Sequence, residues 1–375
     1  MNSTRILSID ILRGLTIFIM LLGNLSPDQT YTYTQFIHRG WIGISIIDLA
    51  FPSFVFIMGI SLVFSRSFSM PNWLTKIFCR SLLLFLFGLL INLIPFIVQW
   101  VAISDYTLAQ CLTDLSAGFR PLGILQRLAL CYFIGGILYK SINTKGELII
   151  SSFSLMLFST ASYHLYDLTN PYSELNNMSI YIDQITLGTA HTYLHAAYDP
   201  EGLWGTINTV ATLLLGTVAG ILLKDSHRSY LSNQKFIKML LGFGITMLIT
   251  GWLWNYVEII SKPLWTAPYV LTVAGINALL LGFLEFIGHS LHNFFQPFIA
   301  IGRNPLFIYI FTEITISILY SITYFGESLY TWIYHTYFFN PAFPFATTLL
   351  YVALWLGLCI LISEIMLKKN MIIKI

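Results

Sequence analysis

The chain has 375 residues, of which 56% are hydrophobic and only 10% are charged, and its formal net charge is +2. Soluble domains carry about 25% charged residues, so this composition excludes an ordinary soluble protein and indicates one that crosses a membrane several times. The small net charge does not indicate a nucleic-acid partner, because membrane topology divides the charges between the two sides of a bilayer.

Ten apolar segments follow one another along the chain, and most approach the roughly 20 residues that cross a bilayer as a helix. They lie near 5–25, 43–65, 79–100, 120–140, 147–165, 203–223, 236–256, 267–288, 297–324 and 344–367. Gly302, Asn304 and Pro305 interrupt the ninth segment, which predicts a kink or a break there. We therefore predict an all-α bundle of about ten transmembrane helices that forms a single domain over residues 1–375.

Lysine and arginine are concentrated in alternate loops. If the N-terminus is cytoplasmic, most of the 19 basic residues fall on the cytoplasmic side, and the loop 164–202 on the other side has none. Because basic loops stay in the cytoplasm, both termini are predicted to be cytoplasmic. The loops 24–42 and 164–202 then face the outside. Small residues such as Gly216 and Gly220 predict close helix packing, and such helix faces would permit a homodimer.

The four cysteines carry little information about function. Cys79, Cys131 and Cys359 lie in or beside apolar segments, and Cys111 lies in a loop. Their spacing fits neither a zinc site nor a disulfide framework, so we interpret them as buried apolar residues and expect no metal.

Three polar residues meet at the outer ends of the first two segments. Asn24 ends the first segment, His38 precedes the second, and Asp48 lies inside it. A neutral imidazole can take a proton from an amine, a carboxylate can orient that imidazole, and an asparagine amide can donate to an oxyanion. These three residues are candidate catalytic groups. The alternative is that His38 is an amphipathic residue at the membrane surface and that Asp48 lies too deep to reach it.

Two further clusters combine acids or bases with tryptophan. Asp199 and Glu201 precede Trp204 before the sixth segment, and Lys262 precedes Trp265 before the eighth. Carboxylates beside tryptophan suit a sugar, whose hydroxyls accept and donate hydrogen bonds and whose ring stacks on indole. The alternative is an aromatic belt with acids that cap helices.

A series of short motifs in a fixed order resembles the heparan-α-glucosaminide N-acetyltransferase family and its bacterial relatives. The motifs are Ser8-x-Asp10-x-x-Arg13-Gly14, Met20 to Asn24, His38-x-x-Trp41-x-Gly43, Asp48-Leu-Ala-Phe-Pro52, Phe56-Ile-Met-Gly59, RPLGILQR (120–127), DPEGLWGT (199–206), KPLWT (262–266) and GRNPL (302–306). Each motif is short, but their common order over nearly the whole chain is specific.

The resemblance implies transfer of an acetyl group across a membrane, from cytosolic acetyl-CoA to the amino group of a terminal glucosamine on the other side. The family's active histidine falls on His38 and its catalytic asparagine on Asn24, and Asp48 would support the imidazole. Whether the histidine carries the acetyl group or acts as a base for direct transfer stays open.

Coenzyme A carries phosphates that need cations and water. We therefore expect its nucleotide at the inner face, near basic residues that include Arg80 and Lys374, with Gln126 and Arg127 along the path of the pantetheine arm. The alternative for the basic residues is that they only set the topology.

The chain departs from the family pattern in several places. Arg39 follows the active histidine where a small residue is common, Ala50 replaces a valine, and the stretch from Asn24 to His38 is slightly longer. We expect this protein to lack the large luminal domain of the animal enzyme. The expected acceptor is therefore a free or cell-wall-derived amino sugar outside the inner membrane of a bacterium, and not heparan sulfate.

Two other functions remain open from the sequence. Buried charges at Asp10, Arg13, Arg303 and Glu313 and the broken ninth segment would suit a proton-coupled amino-sugar transporter. An O-acetyltransferase acting on glycan hydroxyls would use similar chemistry. Acetyl-CoA binding separates the first alternative from an acetyltransferase, and an acceptor without a free amine separates the second.

Overall fold

The computed structural model describes residues 6–103, 105–142, 144–228, 233–287 and 293–373. Within these residues the chain is mainly helical and has almost no sheet, which confirms the predicted all-α fold. The helices are α1 (Leu7–Asn24), α2 (Ala50–Phe64), α3 (Trp73–Ala102), α4 (Leu108–Gly118), α5 (Ile124–Ser141), α6 (Lys145–Tyr166), α7 (Met178–Thr186), α8 (Gly205–Arg228), α9 (Asn233–Trp254), α10 (Ala267–Ile287), α11 (Gln296–Arg303), α12 (Pro305–Ser321), α13 (Leu329–Tyr337) and α14 (Pro344–Lys368). Two short antiparallel strands, β1 (Thr323–Tyr324) and β2 (Glu327–Ser328), form a hairpin.

Most of these helices are long and apolar enough to cross a membrane. Among the described residues eight qualify, or nine if α11 and α12 together form one broken span. The predicted fourth span corresponds to α5, which does not qualify because Gln126, Arg127 and Lys140 lower its hydropathy. The chain is therefore a multi-pass membrane protein, with α5 as a more polar helix among the spans.

The predicted break in the ninth segment is present. The axes of α11 and α12 differ by 81°, and Asn304 lies at the bend. The Asn304 side chain donates to Met371 O (2.9 Å) and accepts from Ile373 N (2.9 Å). Gly302 lies directly against the backbone of Asp10. Residues near both ends of the described chain therefore lie against the bend between α11 and α12.

The helix that follows Asp48 is held tightly in the core. A methyl group at Gly216 of α8 would lie 2.0 Å from the Phe56 carbonyl oxygen of α2, and one at Gly220 would lie 2.9 Å from the Ile60 Cα. The packing role predicted for the two α8 glycines is confirmed. Because α2 and α8 touch along their backbones, the start of α2 is a rigid position for Asp48.

Candidate active site

An irregular segment brings His38 back over the start of α2. Gly40 (φ +38°) and Gly43 (φ +98°) adopt left-handed backbone conformations, which residues with a Cβ rarely adopt, and so turn the chain. Gly43 N then donates to Ile260 O at 2.8 Å, which ties this segment to the loop before α10. Two loops that are distant in sequence are thereby joined beside His38.

His38 contacts Asp48 directly. His38 Nδ1 lies 2.7 Å from Asp48 Oδ1, while the other carboxylate oxygen accepts from Arg39 N (3.0 Å), Ser45 N (2.9 Å) and Ser45 Oγ (2.8 Å). The Asp48 side chain is 1% exposed and that of His38 is 53% exposed. Asp48 is therefore a fixed, buried anchor, and His38 is an oriented ring that solvent or a ligand can reach.

Lys262, from the loop before α10, completes this cluster. Its Nζ lies 2.8 Å from His38 Nδ1 and 3.3 Å from Asp48 Oδ1. Burial lowers the pKa of Lys262, and the Asp48 carboxylate opposes that shift. Nδ1 of His38 either donates to Asp48 or accepts from the Lys262 ammonium, depending on the tautomer of the ring. In the tautomer whose Nδ1–H donates to Asp48, the Lys262 ammonium compensates the carboxylate charge and Nε2 is left as the basic nitrogen. We call His38, Asp48 and Lys262 the loop cluster.

A cavity of about 670 Å³ opens beside the loop cluster. Its walls come from helices α1, α3, α5 and α12 and from the loops before α2, α8 and α10. The polar or charged residues on its wall include Asn24, His38, Asp48, Asn92, Arg120, Gln126, Glu201, Lys262, Thr312 and Glu313. The cavity is therefore the place where the predicted catalytic residues and a substrate can meet.

The cavity also holds polar side chains carried by helices. Asn24, at the end of α1, donates from Nδ2 to Glu313 Oε1 of α12 at 3.2 Å. Gln126 of α5 lies on the wall as well, and its Nε2 has no hydrogen-bond partner among the described residues. We call Asn24, Gln126 and Glu313 the helix cluster.

Two of the other residues predicted to hold coenzyme A, Arg80 and Arg127, do not line this cavity. Arg127 is buried, donates to Gly202 O at 2.6 Å and lies over the Trp265 ring at 5.1 Å. Arg80 lies over the Tyr132 ring at 4.8 Å. Lys374 lies outside the described residues.

Only one of the four predicted sugar-binding residues lines the cavity. Glu201 is on the wall, but both oxygens of Asp199 are bound by Arg120 at 2.6 and 2.7 Å. Trp204 packs against Phe158, and its indole is not on the wall.

Trp265 is 1% exposed, donates to Thr212 Oγ1 and packs on Phe51 and Tyr269. It therefore belongs to the core and offers no face to a sugar. The aromatic side chains on the cavity wall are instead phenylalanines and tyrosines: Phe36, Phe51, Tyr193, Tyr198, Tyr309 and Tyr320. No sequence pattern distinguishes these tyrosines from the others among the 21 in the sequence.

Sequence reasoning did not predict that Lys262 lies beside His38 or that Glu313 lies beside Asn24. Lys262 stands in the motif KPLWT, which was noted for its tryptophan, and Glu313 was noted only as a buried charge. Their proximity to His38 and Asn24 depends on contacts between segments separated by more than 200 residues.

Comparison with known proteins supports the resemblance that the motifs predict. The family model described as "Heparan-alpha-glucosaminide N-acetyltransferase, catalytic" matches residues 5–181, which include Asn24, His38 and Asp48. The protein named heparan-alpha-glucosaminide N-acetyltransferase of Mus musculus is 29% identical over 371 residues, covering 84% of this chain and 54% of that protein. The protein of the same name from Homo sapiens is 28% identical over 368 residues, covering 83% and 53%. The chain thus spans about half the length of the curated relatives it matches, and the predicted resemblance is confirmed.

Proposed function

Because this chain is a relative of the heparan-alpha-glucosaminide N-acetyltransferases, we propose that it is a membrane-embedded N-acetyltransferase. Its donor is acetyl-CoA, and its acceptor is the amino group of a glucosamine-type sugar. The donor enters from the cytosol, and the acceptor comes from the periplasmic or luminal side, at the inner membrane of a bacterium. The observation that carries this proposal is the loop cluster, which presents an oriented imidazole to a cavity between transmembrane helices.

The residues of the cavity suit direct transfer. After the acceptor has given one proton to water, its neutral nitrogen attacks the carbonyl carbon of the thioester, and His38 Nε2 takes the second proton. The C–S bond then breaks, and the departing CoA thiolate takes that proton from His38. The products are the amide and free CoA, and His38 returns to its neutral form.

Asp48 and Asn24 would assist at different stages of this reaction. The Asp48 carboxylate stabilises the imidazolium that exists between the two proton transfers. One N–H of Asn24 is directed at Glu313, which leaves the second N–H for the oxyanion of the tetrahedral intermediate. Gln126 lies on the same wall, and its buried amide nitrogen has no partner among the described residues, which suits a carbonyl of the pantetheine arm or of the thioester. No metal is required by these steps.

The test is acetyl transfer from radiolabelled acetyl-CoA to glucosamine by the purified protein. His38→Ala should lower the rate by about 10²- to 10⁴-fold, the usual contribution of a general base. His335→Ala is the matched control, because His335 also pairs with a carboxylate, Glu327, but not on the cavity wall. It should retain the wild-type rate.

Three results would contradict the proposal. Transfer that persists in a folded His38→Ala variant would remove His38 from the reaction. A wild-type protein that neither binds acetyl-CoA nor transfers acetyl would exclude the acetyltransferase, and glucosamine uptake into proteoliposomes would then support the transporter. Transfer to a glycan without a free amine would instead support an O-acetyltransferase.

A further inference from the structure

Three carboxylates line the cavity, and they differ in their partners. Asp48 lies against Lys262 and His38, and Glu201 binds Arg120 at 2.5 Å. Glu313 contacts neither cation. Among the residues that the structure describes, its one hydrogen-bond partner is the neutral amide of Asn24.

The lysine and arginine side chains on the cavity wall are already paired with carboxylates. Arg120 is shared between Glu201 and the buried Asp199 behind it, and Lys262 is held by Asp48. The described wall therefore carries more carboxylates than cations, with the excess at Glu313. A carboxylate on a transmembrane helix is costly unless a cation or several donors compensate it.

We propose that Glu313 binds the protonated amino group of the acceptor. This assignment rests on the proposed function and adds to it the residue that recognises the amine. An ammonium group has three N–H donors and one positive charge, which match the free acceptor sites and the charge of Glu313.

The position of Glu313 fits this role. Because Asn24 bonds to Glu313 directly, an amine held there lies beside the amide proposed to stabilise the oxyanion. Acetylation converts the ammonium into a neutral amide, so the product loses its ion pair with Glu313. The same carboxylate therefore favours binding of the substrate and release of the product.

Equilibrium binding of radiolabelled glucosamine tests the assignment without turnover. Glu313→Gln removes the charge but keeps an amide oxygen that can accept from Asn24, so the contact between α1 and α12 is preserved. We expect glucosamine to bind about 10- to 100-fold more weakly, the range expected for a hydrogen bond to a charged group. Glucose, which has a hydroxyl in place of the amine, should compete equally well with both proteins. Glu364→Gln on α14 is the matched control, because Glu364 is not on the cavity wall.

The outcomes separate this proposal from the proposed function. Unchanged glucosamine binding in a Glu313→Gln protein that still binds acetyl-CoA overturns the role of Glu313, whether or not the enzyme is active. An equal loss of glucose and glucosamine binding also overturns it, because the effect would then be steric. Binding that depends on Glu313 in a protein without acetyl transfer would keep the amine site and reject the acetyltransferase. Absence of glucosamine binding in the wild type would overturn the assignment.

Discussion

The two polar clusters of the cavity differ in how many of their hydrogen-bonding groups have partners within the protein. In the loop cluster, both oxygens of Asp48 are occupied, His38 Nδ1 has partners, and Lys262 is held between them. In the helix cluster, Asn24 and Glu313 share one hydrogen bond and Gln126 Nε2 has no partner in the described chain. Satisfied groups are set in place when the protein folds, whereas unsatisfied ones gain partners when a ligand arrives.

This difference has a consequence that mutations can measure. Removing a loop-cluster residue leaves its partners unpaired, so stability and activity should fall together. Removing a polar group from the helix cluster leaves little unpaired in the protein, so ligand binding should fall while stability is preserved.

Asp48→Asn should have the largest effect. One of the two oxygens becomes an NH2 group, which must face either His38 and Lys262 or the N–H and O–H donors of residues 39–45. Either orientation places a donor against donors. We expect a loss of about 10²- to 10⁴-fold in kcat, since the imidazolium loses its counter-ion, together with a lower Tm.

Asp167→Asn is the control for this substitution. Asp167 also accepts several hydrogen bonds, from Thr169 and Asn170, but it is not on the cavity wall. If Asp48→Asn and Asp167→Asn lower Tm equally and both retain activity, Asp48 is a structural residue only.

Substitutions of Lys262 should have an intermediate effect that depends on pH. Because burial lowers the pKa of Lys262, its ammonium loses a proton at a lower pH than an exposed lysine does. Above that pH Asp48 has no cation, so the wild-type rate should decline on the alkaline side. Lys262→Met should lower kcat by about 10- to 100-fold, the range for a hydrogen bond to a charged group.

Lys262→Arg separates charge from shape. A guanidinium stays protonated, so this variant should recover part of the rate lost in Lys262→Met and should move the alkaline decline to higher pH. A pH–rate profile of kcat measures both effects. An alkaline decline that is unchanged in Lys262→Arg would show that Lys262 does not supply the charge beside Asp48.

The parts of the site that were predictable from sequence are the local ones. Asn24, His38 and Asp48 lie near one another in the chain, and the break at Asn304 follows from the local residue types. The direct contact of Asp48 with His38 was not certain from spacing, because it requires the turns at Gly40 and Gly43 to bring the ring back.

Some residues that were predicted to bind a ligand are not on the cavity wall, because packing places them elsewhere. Trp265 and Asp199 have the residue types of a sugar site, but one fills the core beside Phe51 and the other anchors Arg120. A sequence does not show whether an indole faces a cavity or a helix, because the same residue type serves both. Glu313 could be identified as a buried charge, but its neighbour Asn24 became evident only in three dimensions.

Gln126→Leu should have the smallest effect and tests the helix cluster directly. The Gln126 side chain lies against Gly88 and Gly123, and its Nε2 has no partner in the described chain. Leucine has a similar volume and removes an amide that the protein does not satisfy, so Tm should stay the same or rise. If Gln126 donates to acetyl-CoA, the Kd for acetyl-CoA should rise by about 3- to 10-fold, the value of one neutral hydrogen bond, with the Kd for glucosamine unchanged. A lower Tm with unchanged acetyl-CoA binding would show that Gln126 is a structural group, and the contrast between the two clusters would then fail at this residue.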